Sequence, residues 1–226
     1  MIKNIYTRFN FSKNYKKELI KFVKNMVNVE MGGNRIYDGI NNHYQQNPTE
    51  IVDLIFELKK LSKKRNFKRY LEIGYSSGIN LNFLNKFFKF EKLVSVDILG
   101  SGINTNTFYA NLRFKNLILI CGDSTNKKTI DNVKNNGPYD IVFIDGDHKY
   151  KTVEKDYINY SKLLSKDGVI IFHDVKFSDT KDEHDRGVPA FWEYLKRKEK
   201  KKFTIKEFYD PYPFTKTGIG ILIKKK

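Results

Sequence analysis

The sequence predicts an α/β fold in which helices cover both faces of one doubly wound, mostly parallel sheet, preceded by an N-terminal helical extension. Three observations support this. Short apolar segments alternate with helical patterns from residue 70 onward, as in parallel strands joined by right-handed crossovers. These segments are continuously apolar, which indicates strands buried on both faces. The last two strands have no helix between them, so we expect an antiparallel hairpin at one edge.

Seven strands and five helices make up this alternating region. The predicted strands cover residues 70–73, 93–96, 117–120, 139–144, 169–172, 203–208 and 219–223. The predicted helices cover residues 78–88, 106–114, 125–134, 150–164 and 189–200. In open sheets of this kind, ligands bind beyond the carboxyl ends of the parallel strands.

Two further helices are predicted before the first strand. Apolar residues at helical spacing indicate an amphipathic helix over residues 12–31. The second helix has Asn47 as its expected N-cap and Glu50 as the capping-box partner. The glycine-bounded loop between the two helices is a candidate lid. We therefore assign residues 1–46 to a helical extension or lid, and residues 47–226 to the main domain.

Composition sets the broad class of the protein. The 226 residues are 40% hydrophobic and 15% aromatic, which supplies a sizeable core and argues against a disordered chain. A single cysteine, Cys121, excludes an intramolecular disulfide and a cysteine-based zinc cluster. No apolar stretch approaches the ~20 residues of a membrane span, and the first residues lack the apolar run of a signal peptide. We expect a soluble, cytoplasmic protein without a membrane partner.

The net charge is +16, from 42 Lys and Arg against 26 Asp and Glu. Of the basic residues, 35 are Lys and 7 are Arg, although Arg is the residue that forks onto phosphates. They are mostly scattered, with dense runs at residues 196–202 and 224–226. We interpret the charge mainly as solvated surface produced by compositional drift, with a polyanion-binding surface as the alternative.

Acidic residues and a histidine gather where the predicted parallel strands end. These residues are Glu72, Asp97, Asp123, Asp145 and the pair His173-Asp174. A single aspartate at a strand end can simply cap the next helix. Because the carboxyl ends of parallel strands share one edge of the sheet, a full set of such residues instead favours a ligand site.

The turn after the first strand is the first part of the predicted site. Its sequence is Gly74-Tyr75-Ser76-Ser77-Gly78, and its small residues let the backbone approach a ligand at a helix N-terminus. The glycine spacing differs from the dinucleotide pattern, which argues against a nicotinamide-dependent oxidoreductase. Glu72 would repel a pyrophosphate but suits a cationic group, such as the α-ammonium of S-adenosylmethionine.

The next strand ends complete a predicted cofactor site. Asp97, followed by Ile98, can accept both ribose hydroxyls of a nucleoside. Asp123 and Ser124 can accept from and orient an adenine amino group. Asp145, at the fourth strand end, is expected at the methyl-donor end of the same crevice. Together these residues predict S-adenosylmethionine as the cofactor.

Over residues 48–223 the chain resembles the class I S-adenosylmethionine-dependent methyltransferases. More narrowly, it resembles the group that includes cephalosporin-hydroxylase-like and macrocin or rhamnosyl O-methyltransferase-like proteins. The matching segments are residues 71–78, 143–150 with Val153 and Asp156, 168–174, 187–192 and 218–221. The resemblance implies the seven-stranded Rossmann-like methyltransferase fold with a reversed edge strand.

Methyl transfer to a hydroxyl requires removal of the acceptor's proton. His148 is the candidate general base, because imidazole titrates near neutral pH, and Asp145 lies at the same strand end. A divalent cation is the other route, since related O-methyltransferases place acidic ligands at the ends of these two strands. The resemblance thus implies Asp145, His173 and Asp174 as metal ligands. Two carboxylates suit Mg²⁺, and a histidine favours Mn²⁺ or Zn²⁺.

The sequence therefore predicts an O-methyltransferase that acts on a small-molecule or glycan hydroxyl. A nucleic-acid methyltransferase and a non-catalytic binding protein with the same fold are the alternatives. The Asn/Asp-Pro-Pro-Tyr signature of base-modifying enzymes is absent, which disfavours a nucleic-acid substrate. The acceptor and the oligomeric state, a homo-oligomer included, stay open.

Overall fold

The computed structural model describes residues 3–24, 46–76, 78–99, 115–176, 183–210 and 217–225. The helix predicted over residues 106–114, the loop predicted as a lid and Ser77 lie outside these residues.

The centre of the described fold is a seven-stranded sheet with the order β3-β2-β1-β4-β5-β7-β6. The strands are β1 (Arg69–Ile73), β2 (Lys92–Asp97), β3 (Leu117–Cys121), β4 (Tyr139–Ile144), β5 (Leu164–Phe172), β6 (Phe203–Phe208) and β7 (Ile219–Lys224). β1 to β5 pair in parallel, whereas β7 pairs antiparallel with both β5 and β6. The predicted doubly wound sheet and its terminal hairpin are confirmed.

Seven α-helices are described. They are α1 (Lys3–Thr7), α2 (Lys13–Lys24), α3 (Pro48–Leu61), α4 (Ile79–Phe88), α5 (Lys127–Lys134), α6 (Tyr150–Tyr160) and α7 (Glu183–Glu199). α7 begins well before Pro189, where the sequence predicted its start. None of these helices is long and apolar enough to cross a membrane.

The start of α3 differs in one respect from the prediction. Asn47 is the N-cap, and its Oδ1 accepts a hydrogen bond from the Thr49 N–H. Glu50, however, is fully buried, and its Oε1 accepts from the Asp210 N–H and the Thr217 hydroxyl. The predicted capping box is wrong at Glu50, because these distant partners use the carboxylate instead of the local backbone.

Two hydrophobic layers enclose the sheet. One layer joins α2, α3 and α4 to alternate strand residues such as Tyr70 and Phe143. The other joins α5, α6 and α7 to the intervening residues, such as Leu71 and Val142. Successive side chains of each strand thus point to opposite faces of the sheet. Because β1 to β5 run parallel, their carboxyl ends lie together at one edge.

Candidate active site

A cavity of about 810 Å³ lies at the carboxyl edge of the parallel strands. Its lining includes most of the strand-end residues predicted from the sequence. These are Gly74, Tyr75, Ser76, Asp97, Ile98, Asp123, Ser124, Asp145, His148, His173 and Asp174. The volume is within the range of ligand sites in proteins. The structure therefore brings the predicted site residues from the ends of five strands together around one space.

The glycine turn after β1 forms one wall. Gly74 has φ +94°, and a Cβ there would overlap the carbonyl of Asp145, so only glycine lets these two strand ends meet. Gly78 has φ +74° and is the N-cap of α4, with the Tyr75 ring against it. Ser76 also has a positive φ, of 46°. The turn is tightly packed and directs its backbone toward the cavity.

Asp97 connects this turn to the end of β2. Its Oδ2 accepts from the Ser76 N–H at 2.7 Å, and its Oδ1 accepts from the Leu99 N–H at 2.8 Å. These bonds fix the carboxylate at the cavity wall, and each oxygen keeps a further lone pair. The neighbouring Ile98 is 69% exposed. The arrangement suits a ribose diol on the carboxylate with an apolar contact beside it.

Glu72 is placed differently from the other acids. It is 1% exposed and does not line the cavity. Its Oε1 accepts from the Asn80 amide at 2.7 Å and the Tyr70 hydroxyl at 3.0 Å. Burial raises the pKa of Glu72 to about 8, against the opposing effect of the Asn80 hydrogen bond. Asn80, which the sequence did not predict as a site residue, lines the cavity where Glu72 was expected.

The loop after β3 supplies the predicted adenine end. Asp123 Oδ1 accepts from the N–H and hydroxyl of Thr125 at 2.7 and 2.8 Å. The Ser124 carbonyl accepts from the Tyr160 hydroxyl at 2.7 Å. Behind this loop lies Asp156, which is fully buried, and burial raises its pKa to about 7. Asp123 and Ser124 are therefore held in place at the cavity wall.

The ends of β4 and β5 form a linked group of acids and histidines. Asp145 Oδ1 lies 3.2 Å from His173 Nδ1, and Asp145 Oδ2 accepts from the Gln46 amide at 2.9 Å. Asp174 Oδ2 lies 3.3 Å from both His173 Nδ1 and His148 Nε2. Asp174 has φ 58°, a conformation that costs energy in a non-glycine residue and is frequent at functional sites.

The charges in this group stabilise one another. The pKa of His173 is raised well above its ordinary value by the carboxylates of Asp145 and Asp174, which outweigh the effect of burial. The same pairing, reinforced by His148, lowers the pKa of Asp145 against its own burial. His173 is 5% exposed and contacts both carboxylates through Nδ1, so we expect it to position them.

The potential metal ligands differ by one residue from the predicted set. One ligand atom each of Asp145, His148 and Asp174 lies within 4.8 Å of the others. His148 therefore joins the two predicted carboxylates in this group, while His173 directs its Nδ1 at both of them. Two carboxylates and an imidazole fit a divalent cation such as Mg²⁺ or Mn²⁺.

Some cavity residues gave no recognisable sequence signal. Gln46 precedes α3 and Thr217 precedes β7, so neither residue follows one of the parallel strands whose ends form the predicted site. Both line the cavity, and both are tied to acids, Gln46 to the half-buried Asp145 and Thr217 to the buried Glu50. They reach the cavity because the start of α3 and the start of β7 both lie at the carboxyl edge of the parallel strands.

A family model described as a methyltransferase domain matches residues 71–175, from β1 to the end of β5. An uncharacterized protein of Acanthamoeba polyphaga mimivirus is 32% identical over 113 residues, which are 46% of this chain and 50% of that protein. The chain thus spans about half the length of this curated relative.

Solved structures share the whole architecture at low identity. The O-methyltransferase from Bacillus cereus in complex with SAH has a TM-score of 0.58 at 14% identity, over 98% of this chain and 96% of its own. The O-methyltransferase TomG from Streptomyces achromogenes, in complex with SAM, has a TM-score of 0.58 at 13% identity, with 99% and 95% covered.

A third structure resembles a smaller part of the chain. The MycE methyltransferase from the mycinamycin biosynthetic pathway, in complex with Mg and SAH, has a TM-score of 0.52 at 15% identity, over 74% of this chain and 48% of its own. These three likenesses concern the fold. Residues 71–175 match the methyltransferase-domain model, and the chain shares the fold of the S-adenosylmethionine-dependent O-methyltransferases.

Proposed function

We propose that this protein is an S-adenosylmethionine-dependent O-methyltransferase that modifies a hydroxyl of a small molecule or sugar. The observation that carries the proposal is the grouping of Asp145, His148 and Asp174 in the same cavity as Asp97 and the glycine turn. The wall that we assign to the nucleoside and the group that we assign to proton removal therefore line the same cavity. Methyl transfer to a hydroxyl requires both to lie close together.

The lining of the cavity supports S-adenosylmethionine as the cofactor. The Gly74 backbone approaches Asp145 closely enough to exclude any side chain there. Asp97 is fixed with both oxygens at the wall, and we assign it to the ribose. We assign Asp123 and Ser124 to the adenine. Glu72 acts through Asn80, because its own carboxyl does not reach the cavity. Bound S-adenosylmethionine would supply the electrophilic methyl group.

The acceptor hydroxyl is assigned to the other end of the cavity. His148 takes its proton, and the Asp174 carboxylate, 3.3 Å from His148 Nε2, stabilises the imidazolium that forms. His173 holds Asp145 and Asp174 in their orientations. A divalent cation held by Asp145, His148 and Asp174 would lower the pKa of the acceptor hydroxyl. In either case this cluster directs the acceptor oxygen toward the methyl group.

Calorimetry with S-adenosylhomocysteine tests the binding site, and radiolabelled methyl transfer to panels of glycans, phenols and RNA tests the reaction. His148→Ala should leave cofactor affinity within about twofold and lower turnover by about 10²-fold or more. Lys151→Ala, at an exposed position in the first turn of α6, is the matched control and should change neither.

Three results separate the possibilities. Wild-type protein that binds no S-adenosylhomocysteine would refute the proposal. Activity lost with EDTA and restored by Mg²⁺ or Mn²⁺ would assign the cluster to a metal, whereas activity that survives EDTA would assign proton removal to His148. Transfer to RNA alone would replace the hydroxyl acceptor proposed here with a nucleic-acid substrate.

A further inference from the structure

Two basic segments that are distant in sequence meet at the amino edge of the sheet, opposite the cavity. Residues 200–202 follow α7, and Lys224 and Lys225 end β7. The Lys225 N–H donates to the Lys202 carbonyl at 3.0 Å, and Lys225 Nζ donates to the Lys200 carbonyl at 2.8 Å. The strand pair Phe203↔Lys224 places the two segments side by side.

Arg65 joins two further segments to the same place. Its guanidinium donates to the Asp167 carbonyl at 2.7 Å and to the Lys224 carbonyl at 2.8 Å. The residues around Arg65 and Asp167 contribute more lysines. We call the combined surface the basic edge, which consists of Lys63, Lys64, Arg65, Lys166, Lys200, Lys201, Lys202, Lys224 and Lys225. All but Arg65 and Lys224 are exposed at the surface.

The charge of the basic edge is largely uncompensated. Within the described part of the chain its ion pair is Lys202 with Glu199, at 3.7 Å, where Lys202 is 76% exposed. Other acids at this end of the strands are already engaged, because Glu91 pairs with Lys68 and the Asp140 carboxylate accepts from the backbone N–H groups of Lys68 and Arg69. Clustered like charges repel one another, so a bound polyanion would relieve an unfavourable energy of the folded state.

One exposed aromatic ring contacts the basic edge, and a second lies on the last two turns of α7, which lead to residues 200–202. Phe11 is 47% exposed, and Lys63 Nζ lies 4.4 Å from its ring centroid. Tyr194 is 37% exposed, and Lys198 Nζ, one turn further along α7, lies 5.3 Å from its ring. Single-stranded nucleic acids bind to surfaces of this composition, with phosphates on the cations and bases stacked on the rings.

We propose that the basic edge binds single-stranded RNA without sequence preference. The proposal goes beyond the methyltransferase activity, because this surface lies at the opposite end of the strands from the cavity and would tether the enzyme rather than present an acceptor. Lysines give point charges without base readout, and both arms of the Arg65 guanidinium are already engaged by carbonyl groups. An anionic membrane would also be attracted by these cations, but the exposed rings of Phe11 and Tyr194 offer stacking contacts that favour the bases of RNA.

Fluorescence anisotropy with a labelled single-stranded RNA of 20 nucleotides tests the proposal. Binding should weaken as salt increases, with a slope of log K against log salt of about −0.7 for each phosphate neutralised. The variant Lys200→Glu/Lys201→Glu/Lys225→Glu should reduce the size of that slope by about 2 and weaken binding at least tenfold. Tyr194→Ala should weaken binding severalfold without changing the slope.

The matched control is Lys13→Glu/Lys17→Glu/Lys155→Glu, which changes the net charge equally at exposed positions of α2 and α6. It should stay within about threefold of wild type. Both triple variants should keep the wild-type affinity for S-adenosylhomocysteine, so that failure here is distinct from failure of the proposed function. Equal losses in the two triple variants, no RNA binding at 50 mM salt, or preferential binding to anionic phosphatidylserine vesicles would each overturn the proposal.

Discussion

A single substitution at Asp97 tests whether its carboxylate binds the ribose of the cofactor. Asp97→Asn keeps the size of the side chain but replaces one acceptor oxygen with a donor, which opposes the backbone N–H groups of Ser76 and Leu99. A hydrogen bond to a charged group contributes about 1.5–3 kcal/mol. We expect S-adenosylhomocysteine affinity, measured by calorimetry, to fall by roughly 10- to 100-fold.

The control for this substitution is Asp131→Asn, which removes an exposed acid of α5 that pairs with Lys127. It should leave cofactor affinity unchanged. Full affinity in Asp97→Asn would show that the nucleoside binds elsewhere in the cavity.

Glu72 should make the stability of the fold depend on pH. Its carboxyl titrates at 4.5 when unperturbed and at about 8 in the fold, mainly because of burial. Between these values only the unfolded chain ionises, so this contribution is complete below pH 4.5 and is lost as the pH rises to about 8. Glu72→Gln cannot ionise, and its Oε1 still accepts from Asn80 and Tyr70.

Urea unfolding at pH 5 and pH 8.5 measures this effect. Relative to wild type, Glu72→Gln should gain on the order of 3–4 kcal/mol of stability between the two pH values. A parallel pH dependence of the two proteins would mean that Glu72 titrates normally in the fold.

At the scale of elements, α7 packs closely against the loop after β4, and this contact holds the loop that carries His148. A Cβ on Gly187 would overlap the carbonyl of His148 and lie 2.4 Å from the Tyr150 nitrogen. Gly187→Ala must therefore separate α7 from the loop that carries His148. We expect a loss of at least about 2 kcal/mol of stability and a lower turnover number, measured by thermal unfolding and methyl transfer.

Ala190→Gly, one turn further along α7, is the matched control. It weakens the helix by about 1 kcal/mol without a steric conflict, so it should reduce stability and leave turnover nearly unchanged. Equal turnover losses in the two variants would indicate that helix stability, and not the contact with His148, controls the site.

Local patterns explain why most elements could be predicted. The strands Tyr139–Ile144 and Phe203–Phe208 have the predicted bounds because an apolar residue marks each end of both strands. β3 is less regular, with Ile118 exposed at 36%, and among the described strands it pairs only with β2. The start of α7 was missed because Pro189, a typical first-turn residue, lies inside the helix.

The site was predictable where one strand end supplied its own signal. Asp97, Asp145 and Asp174 each follow an apolar strand, and the parallel topology brings such residues together. Gln46 was not predictable, because its bond to Asp145 spans 99 positions in the sequence. The exchange of His173 for His148 in the metal-compatible group depends on side-chain direction, which strand order alone does not determine.

For the molecule as a whole, the structure bears on whether the N-terminal helices are a separate unit. Leu19 of α2 is fully buried and belongs to the same hydrophobic layer as Phe143 of β4. Phe9 and Tyr15 also pack against Phe56 of α3, with ring centroids 5.1 and 6.1 Å apart. These contacts favour one cooperative unit over the predicted division at residue 46.

Leu19→Ala distinguishes these possibilities. If α2 is part of one cooperative core, the variant should lose about 2–5 kcal/mol, seen as a single unfolding transition at lower urea by both tryptophan fluorescence and circular dichroism. The fluorescence probe is informative because Trp192 lies in the opposite layer, far from the substitution. Lys17→Ala, at an exposed position of the same helix, should leave the midpoint unchanged. An unaltered Trp192 transition in Leu19→Ala, with only a partial early loss of helical signal, would instead show that the extension unfolds independently of the rest of the sheet.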